Sequence, residues 1–215
     1  MEQPGSETPW RYVFLAQGQT ISSNDAASLR SVVSGGGLLV YPTDTLYALG
    51  TDPLNPQGVK KIFGAKNRPD CMPLPVVFPD MPTLLRWTDA NSMERDYLKQ
   101  ILPGPLSVIL PISDGYRSRI YGCPATLSCR LVDDPVCCQV LAITGPLVAT
   151  SANRHLRPTP FNAQDAAGDL CHPPDMVVDG GPRRGEPSTI IEIAGERVKI
   201  IREGTIPAAD LPPFP

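Results

Sequence analysis

Residues 38–78, LLVYPTDTLYALGTDPLNPQGVKKIFGAKNRPDCMPLPVVF, decide how the chain is read. Leu38 to Tyr41 is an unbroken apolar run with the length of a buried strand, and Pro42 turns it into a segment rich in side-chain oxygens, Thr43, Asp44 and Thr45. Asn55 followed by Pro56 is the pairing expected of an N-cap and a proline at the first helical position, where the missing N–H costs nothing. Val59, Ile62 and Phe63 then share one face at helical spacing, so a short helix packs inward and delivers Lys66 and Arg68 at its exit. With an extended backbone there, the i, i+2 spacing points both cations to one side. A second apolar strand follows near Leu74 to Phe78. A hydroxyl-bearing turn facing a Lys-x-Arg pair suits a polyanion and a small polar ligand; the competing reading is that the cations only complement the helix dipole.

Working outward, residues 1–10 read as an N-terminal tail and Arg11 to Ala16 as a first strand. Asp25 to Val33 is helical, and Gly35-Gly36-Gly37 ends it as a C-cap and turn. That glycine run precedes a strand and has no Walker lysine after it, so it is not a phosphate loop. Downstream, Met81 to Trp87 and Asn91 to Leu102 read as helices, Leu106 to Ile112 and Ala125 to Val132 as strands, and Asp134 to Thr144 as a helix. Arg130 stands among small and apolar neighbours, where a charge is costly unless it meets a partner or ligand; the alternative is an alternating strand with a solvated outer face. Pro146 to Thr150 reads as one buried strand ending in Ser151-Ala152-Asn153. Polar residues at such an end occupy the ligand position of open α/β sheets, or form an ordinary cap or Asx turn. Asn162 to Leu170 is a helix, Met176 to Val178 a strand, and Ser188 to Ile193 with Arg197 to Ile201 a hairpin, with Arg202 at its exit. The Arg183 to Pro187 segment is either a lid or an exposed loop, and the proline-rich residues 206–215 are expected to be unstructured.

The 215 residues suit one large domain, and 41% apolar with 19% charged residues is enough for a real core. A net charge of −3 argues against a protein that coats nucleic acid, because nonspecific binding rests on phosphate neutralisation. The 26 prolines are spread along the chain rather than held in a repeat. Six cysteines form neither a compact framework nor a C-x-x-C, and no leader or membrane-length apolar run precedes them, so the expectation is reduced thiols in a cytoplasmic protein with no membrane partner. His155 and His172 lack the paired spacing a tetrahedral zinc site needs. No Ser-His-Asp order, H-E-x-x-H or dinucleotide fingerprint is present. Hydroxyls, amides and cations at strand ends suit catalysis by positioning and charge stabilisation, with nucleotidyl and phosphoryl transfer as the leading type.

YPTDTLYALG, KKIFGAKNRP, LPGPLSVIL, SCRLVDDP, PLVATSAN, VVDGG followed by PSTIIEI, and IIREG occur in the order and approximate spacing of the YrdC-like family, the threonylcarbamoyl-AMP synthases, which the chain resembles from about Arg11 to Thr205. The resemblance implies a single α/β domain (11–205) with a twisted mixed β-sheet flanked by helices around a concave, positively lined cavity. It implies formation of L-threonylcarbamoyladenylate and pyrophosphate from L-threonine, bicarbonate or CO2, and ATP, for t6A modification of tRNA. Mg²⁺ would accompany ATP. Partners would be tRNA or double-stranded RNA and other t6A-pathway proteins. By motif, Lys66 and Arg68 would be catalytic and, with Thr126, Asn153 and Arg202, bind ATP; Thr45, Arg130, Ser151 and Ser188 would bind threonine. Arg130 is a natural carboxylate clamp, since its fork can hold two oxygens at once. The chain departs from the family pattern at Ala48, Met72, Val77, Arg154, His155 and Phe161. Two other readings stay open: a YrdC-like paralogue that binds a nucleotide without this activity, and an RNA-binding module that uses the cavity as a shape reader.

Overall fold

The computed structural model describes residues 8–16, 18–70, 72–195 and 197–214, so most of the expected N-terminal tail and Cys71 lie outside it. In chain order the elements are β1 (Arg11–Phe14), α1 (Ser23–Ser34), β2 (Leu39–Pro42), β3 (Tyr47–Gly50), α2 (Pro56–Lys66), β4 (Val76–Phe78), α3 (Met81–Trp87), α4 (Ser92–Ile101) and β5 (Leu106–Pro111). They continue with α5 (Asp114–Arg117), β6 (Thr126–Leu131), α6 (Pro135–Thr144), β7 (Leu147–Val148), β8 (Thr150–Ser151), α7 (Ala163–Gly168), β9 (Met176–Asp179), β10 (Thr189–Ala194) and β11 (Arg197–Arg202). The expected α/β class with mixed strands flanked by helices is what the chain adopts, but the strands divide into two sheets rather than one. One is five-stranded in the order β1-β9-β2-β3-β8; the other is six-stranded, β11-β10-β5-β6-β4-β7. The segment expected as one strand over 146–150 explains the split. Its first part pairs with β4, its last part pairs with β3, and the chain changes sheet at Ala149, whose N–H donates to the Pro75 carbonyl at 2.9 Å.

Alternation along the strands assigns their faces. Leu39, Tyr41, Met176 and Val178 pack with α1 and α6 through Leu29, Val33, Val140 and Leu141. Val40, Leu49 and Val177 point the other way, onto Val59, Ile62 and Phe63 of α2 and the alanines of α7. The five-stranded sheet is thus covered on both faces, which is why Leu38 to Tyr41 is apolar without interruption. In the six-stranded sheet Leu106, Val108, Leu110, Leu127, Cys129, Leu131, Ile191 and Ile193 pack against Leu84, Trp87, Tyr97 and Leu98 of α3 and α4. Its other face, with Ser107, Ile109, Ser128, Arg130 and Ile190, is left to line a cavity against the first sheet.

Two expectations need correction. Strand β3 was not foreseen: all four of its residues are buried, so no polar alternation marks it. The end of the chain is not unstructured either. Ile206, Leu211 and Phe214 pack against the α3/α4 core, the Tyr97 hydroxyl donates to the Pro212 carbonyl at 3.0 Å, and the Phe214 ring meets Tyr97 edge-on at 5.1 Å between centroids. Apolar side chains spaced between prolines find a groove that a composition-based reading does not see.

Candidate active site

The turn between β2 and β3 is held by its own hydroxyls. Thr43 Oγ1 accepts from the backbone N–H of Thr45 and Leu46 at 3.2 and 3.1 Å and donates to the Leu46 carbonyl at 2.7 Å. The two threonine hydroxyls lie 3.0 Å apart. Thr45 Oγ1 accepts from Arg130 Nη1 at 3.2 Å.

Arg130 comes from β6 and is 7% exposed. Its Nε donates to the Gly104 carbonyl at 3.0 Å, and its Nη2 is ion-paired with Asp44. An N–H on each Nη group remains for a ligand, because a guanidinium carries five. Burial lowers the Arg130 guanidinium and pushes the Asp44 carboxyl up, in spite of their mutual attraction. An arginine stays protonated under such a shift, so the two side chains form a buried ion pair with an N–H on each Nη left over.

The Lys-x-Arg pair is not extended. Lys66 is the last residue of α2, Asn67 takes the left-handed conformation at φ 49°, and the Arg68 N–H returns to the Phe63 carbonyl at 3.0 Å. The turn sends the two cations to different places. Arg68 enters the cavity, where Nη1 donates to Thr150 Oγ1 at 3.2 Å and Nη2 to the Pro73 carbonyl at 3.0 Å, while its buried Nε has no partner. Lys66, 2% exposed, lies behind the wall. Its Nζ donates to the carbonyls of Ser151 and Asn153, the latter at 2.7 Å, and to Asn153 Oδ1 at 3.3 Å. Burial first, then the Arg68 charge, lowers its pKa to about 8.

On the far wall Ser188 Oγ lies 3.1 Å from Ser107 Oγ, and Arg202 Nη2 donates to the Ser188 carbonyl at 2.7 Å. The segment 183–187, read from sequence as either a lid or an exposed loop, is exposed over 184–187 and tethered at Arg183 and Gly185. Arg183 donates to the Thr43 carbonyl at 2.8 Å and pairs with Asp134 at 2.7 Å, and the Gly185 N–H donates to the Thr45 carbonyl at 3.1 Å. A Cβ at Gly185 would meet the Thr45 carbonyl oxygen at 2.8 Å, so the approach needs glycine.

The resulting cavity is about 340 Å³ and is lined by Thr45, Arg68, Arg130, Ser151, Ser188 and Arg202 among others, with no Asp or Glu among its described lining residues. Six of the nine residues singled out from sequence therefore meet there. Lys66 and Asn153 sit one layer behind, bracing the Ser151 turn, and Thr126 lines a neighbouring cavity of about 350 Å³ with Phe63, Met72 and Tyr121. Of the departures from the family pattern, Ala48 and Val77 line the first cavity and Met72 the second, whereas Phe161 is 55% exposed and Arg154 pairs with Asp169. Sequence reasoning missed Ser107 and Ser128, whose signal was small polar residues alternating with apolar ones along β5 and β6. Among the described residues no three His, Cys, Asp or Glu side chains cluster as a metal site, and no helix is long and apolar enough to cross a membrane.

Comparison with known proteins adds three findings. The Sua5/YciO/YrdC family model, described as "Telomere recombination", matches residues 31–204. The threonylcarbamoyl-AMP synthase of Bacillus subtilis (strain 168) is 33% identical over 192 residues, covering 86% of this chain and 56% of that protein; the putative threonylcarbamoyl-AMP synthase of Methanocaldococcus jannaschii is 28% identical over 184, covering 85% and 87%. The crystal structure of P. abyssi Sua5 complexed with L-threonine superposes with a TM-score of 0.83 at 27% identity, over 93% of this chain and 59% of that one. E. coli YciO shares the fold with a TM-score of 0.81 at 21% identity, over 95% and 99%. The chain spans little more than half the length of the B. subtilis and P. abyssi proteins.

Proposed function

The chain belongs to the Sua5/YciO/YrdC family, and on that premise we propose that it is a threonylcarbamoyl-AMP synthase. In this reading the amine of L-threonine attacks the carbon of CO2, or of bicarbonate with loss of water, to give a carbamate. A carbamate oxygen then attacks the α-phosphorus of ATP, the bond to the bridging α–β oxygen breaks, and pyrophosphate leaves with that oxygen. The product would be L-threonylcarbamoyladenylate, consumed in t6A modification of tRNA.

The observation that carries the reading is the cavity itself: Arg68, Arg130 and Arg202 with hydroxyls between them and no carboxylate among the described lining residues, a chamber suited to anions. The free N–H groups of Arg130 take the threonine carboxylate, with Thr45, Ser151 and Ser188 around it. Arg68, held by Thr150 and Pro73, faces the developing negative charge on phosphorus, the kind of stabilisation that dominates such reactions. Arg202 meets the phosphates from the opposite wall. Thr126 and the largely apolar second cavity take the nucleoside. Mg²⁺ would come with ATP and offset the phosphate charge, since no described residue lining the first cavity is a carboxylate. Lys66 and Asn153 act by holding the Ser151 turn.

The test is pyrophosphate release from ATP, Mg²⁺ and bicarbonate with and without L-threonine, with L-serine as comparator. Release that depends on threonine and is not matched by serine supports the assignment. Folded protein that binds ATP without threonine-dependent release refutes it in favour of the nucleotide-binding paralogue. That second reading draws on Val77 and Ala48, which make part of the amino-acid wall apolar.

A further inference from the structure

Strand β6 runs along the boundary of both cavities. Leu127, Cys129 and Leu131 point into the α3/α4 core, so Thr126, Ser128 and Arg130 share the opposite face. Arg130 lines the first cavity, Thr126 the second, and Ser128, with Pro73, lines both. At about 7 Å for every two residues, the strand sets a carboxylate anchor, a hydroxyl and a nucleoside contact in line over about 13 Å.

The middle position has a second peculiarity. Ser128 Oγ is buried and has no hydrogen-bond partner. Buried hydroxyls are bonded in the great majority of cases, and an unbonded one calls for a cause. The other serine pair of the cavity, Ser107 and Ser188, is satisfied internally, as is the Thr43–Thr45 pair. Among the described lining residues of the first cavity, the buried side-chain polar atoms without a partner are Ser128 Oγ and Arg68 Nε. Both can donate, and both belong to residues that line this cavity.

We infer that Ser128 is a substrate-binding residue: at the passage between the two cavities its hydroxyl donates to an oxygen of the carbamate as the carbamate joins the α-phosphate. The inference rests on the proposed adenylation reaction and deepens it. Neither substrate alone spans the passage. Threonine fills the Arg130 end and ATP the Thr126 end, and only where the new C–O–P linkage forms does a ligand oxygen lie opposite Ser128. The hydroxyl therefore has its partner in the reacting complex and none before it. That is the difference between ground and transition state that accelerates a step.

Ser128→Ala removes the donor and an unpartnered oxygen together, so its melting temperature should equal or exceed that of the unaltered protein. Threonine-dependent pyrophosphate release should fall by on the order of 100-fold, as loss of a single oxyanion donor does. The bicarbonate KM should rise, while the separate affinities for L-threonine and for ATP, measured calorimetrically, should stay within about two-fold, since neither binary complex uses the hydroxyl. Ser128→Cys, close in size and a weaker donor, should fall between. Unchanged turnover and bicarbonate KM in Ser128→Ala would overturn the inference and leave the synthase reading intact. A matching loss of threonine or ATP affinity alone would also overturn it, by assigning the hydroxyl to one substrate. Absence of threonine-dependent release in the unaltered protein defeats the underlying reading and the inference with it.

Discussion

Lys66→Met separates two roles for the residue: phosphate ligand, as the family resemblance implies, or brace of the Ser151 turn, as its contacts show. The Nζ has three acceptors, the carbonyls of Ser151 and Asn153 and Asn153 Oδ1. Methionine fills similar space but leaves at least two buried carbonyl oxygens unmet, at about 1–3 kcal/mol each. Against this, the substitution removes an ammonium that the fold disfavours. Its pKa is about 8 when folded against the ordinary lysine value of 10.5, a difference worth about 3 kcal/mol in favour of the neutral form. The two effects oppose each other, so the net at pH 7 lies between a gain of about 1 kcal/mol and a loss of about 3 kcal/mol, and the change with pH is the sharper test.

The sign of the pH dependence follows. Between pH 8 and 10.5 the unfolded chain holds the Lys66 proton and the folded chain has released it, so the stability of the unaltered protein rises with pH by linkage. The methionine variant lacks that contribution, and the gap between the two should widen by about 3 kcal/mol across this window. Urea denaturation of both proteins at pH 7, 8, 9 and 10 measures it, because contributions from other groups cancel in the difference. On the activity side, the brace predicts a raised threonine KM through displacement of Ser151, with ATP KM little changed. A stability difference that does not change with pH, combined with a selective rise in ATP KM, would refute the argument and return Lys66 to the triphosphate.

Other expectations are simpler. Arg130→Met strands the buried Asp44 carboxylate and should cost about 3–5 kcal/mol. Adding Asp44→Asn should restore much of that stability without restoring activity, and additive losses in a denaturation cycle would show that the two side chains are not coupled. Phe214→Ala should lower stability by about 1–2 kcal/mol through its half-buried ring and the Tyr97 contact, measured by thermal melting. A neutral result would mean that the C-terminal segment is not docked in solution. Gly185→Ala should push the 183–187 segment off the Thr45 carbonyl and raise the threonine KM several-fold with the fold retained. An unchanged KM would show that the tethered segment does not position the turn.

Much of this arrangement was legible in the sequence, for identifiable reasons. Asn55-Pro56 forms the cap it spells, with Asn55 Oδ1 accepting from the N–H of Gln57 and Gly58, because capping is decided within four residues. Thr45, Arg68, Arg130, Ser151, Ser188 and Arg202 converge as expected, carried there by their motifs. What failed was long-range. Residues 146–149 are apolar throughout, and nothing local says that the chain leaves one sheet for the other at Ala149. Tyr47–Gly50 is buried on both faces, so β3 carries no alternation. Lys66 and Arg68 were placed on one side by assuming an extended link, whereas the left-handed Asn67 turns them apart. Ser128 was overlooked because a serine two residues before an arginine gains meaning only when the cavity divides around it.

The same geometry suits a reaction that takes no acid or base from the first cavity, whose described lining holds no Asp, Glu or His. Arg68, Arg130 and Arg202 reach the cavity from three different elements, and the carboxylate paired with Arg130, Asp44, approaches from behind and balances its charge without entering the lining. Such a chamber suits anions, and its described lining has no carboxylate to accept a proton, so in the adenylation reading the proton of the threonine amine leaves to water or bicarbonate. The protein's contribution is then to bring a carbamate and an α-phosphate, both negative, within reach of each other. Two anions approach at little cost only where fixed positive groups already face the space between them. Arg68 can be such a group because its Nη atoms are held by Thr150 and Pro73 before any substrate arrives, while its Nε is left free. Preorganisation of this kind depends on the crossing at Ala149, which places Thr150 on the five-stranded sheet opposite β6 of the six-stranded one. The sheet division that sequence reading missed is what creates the site.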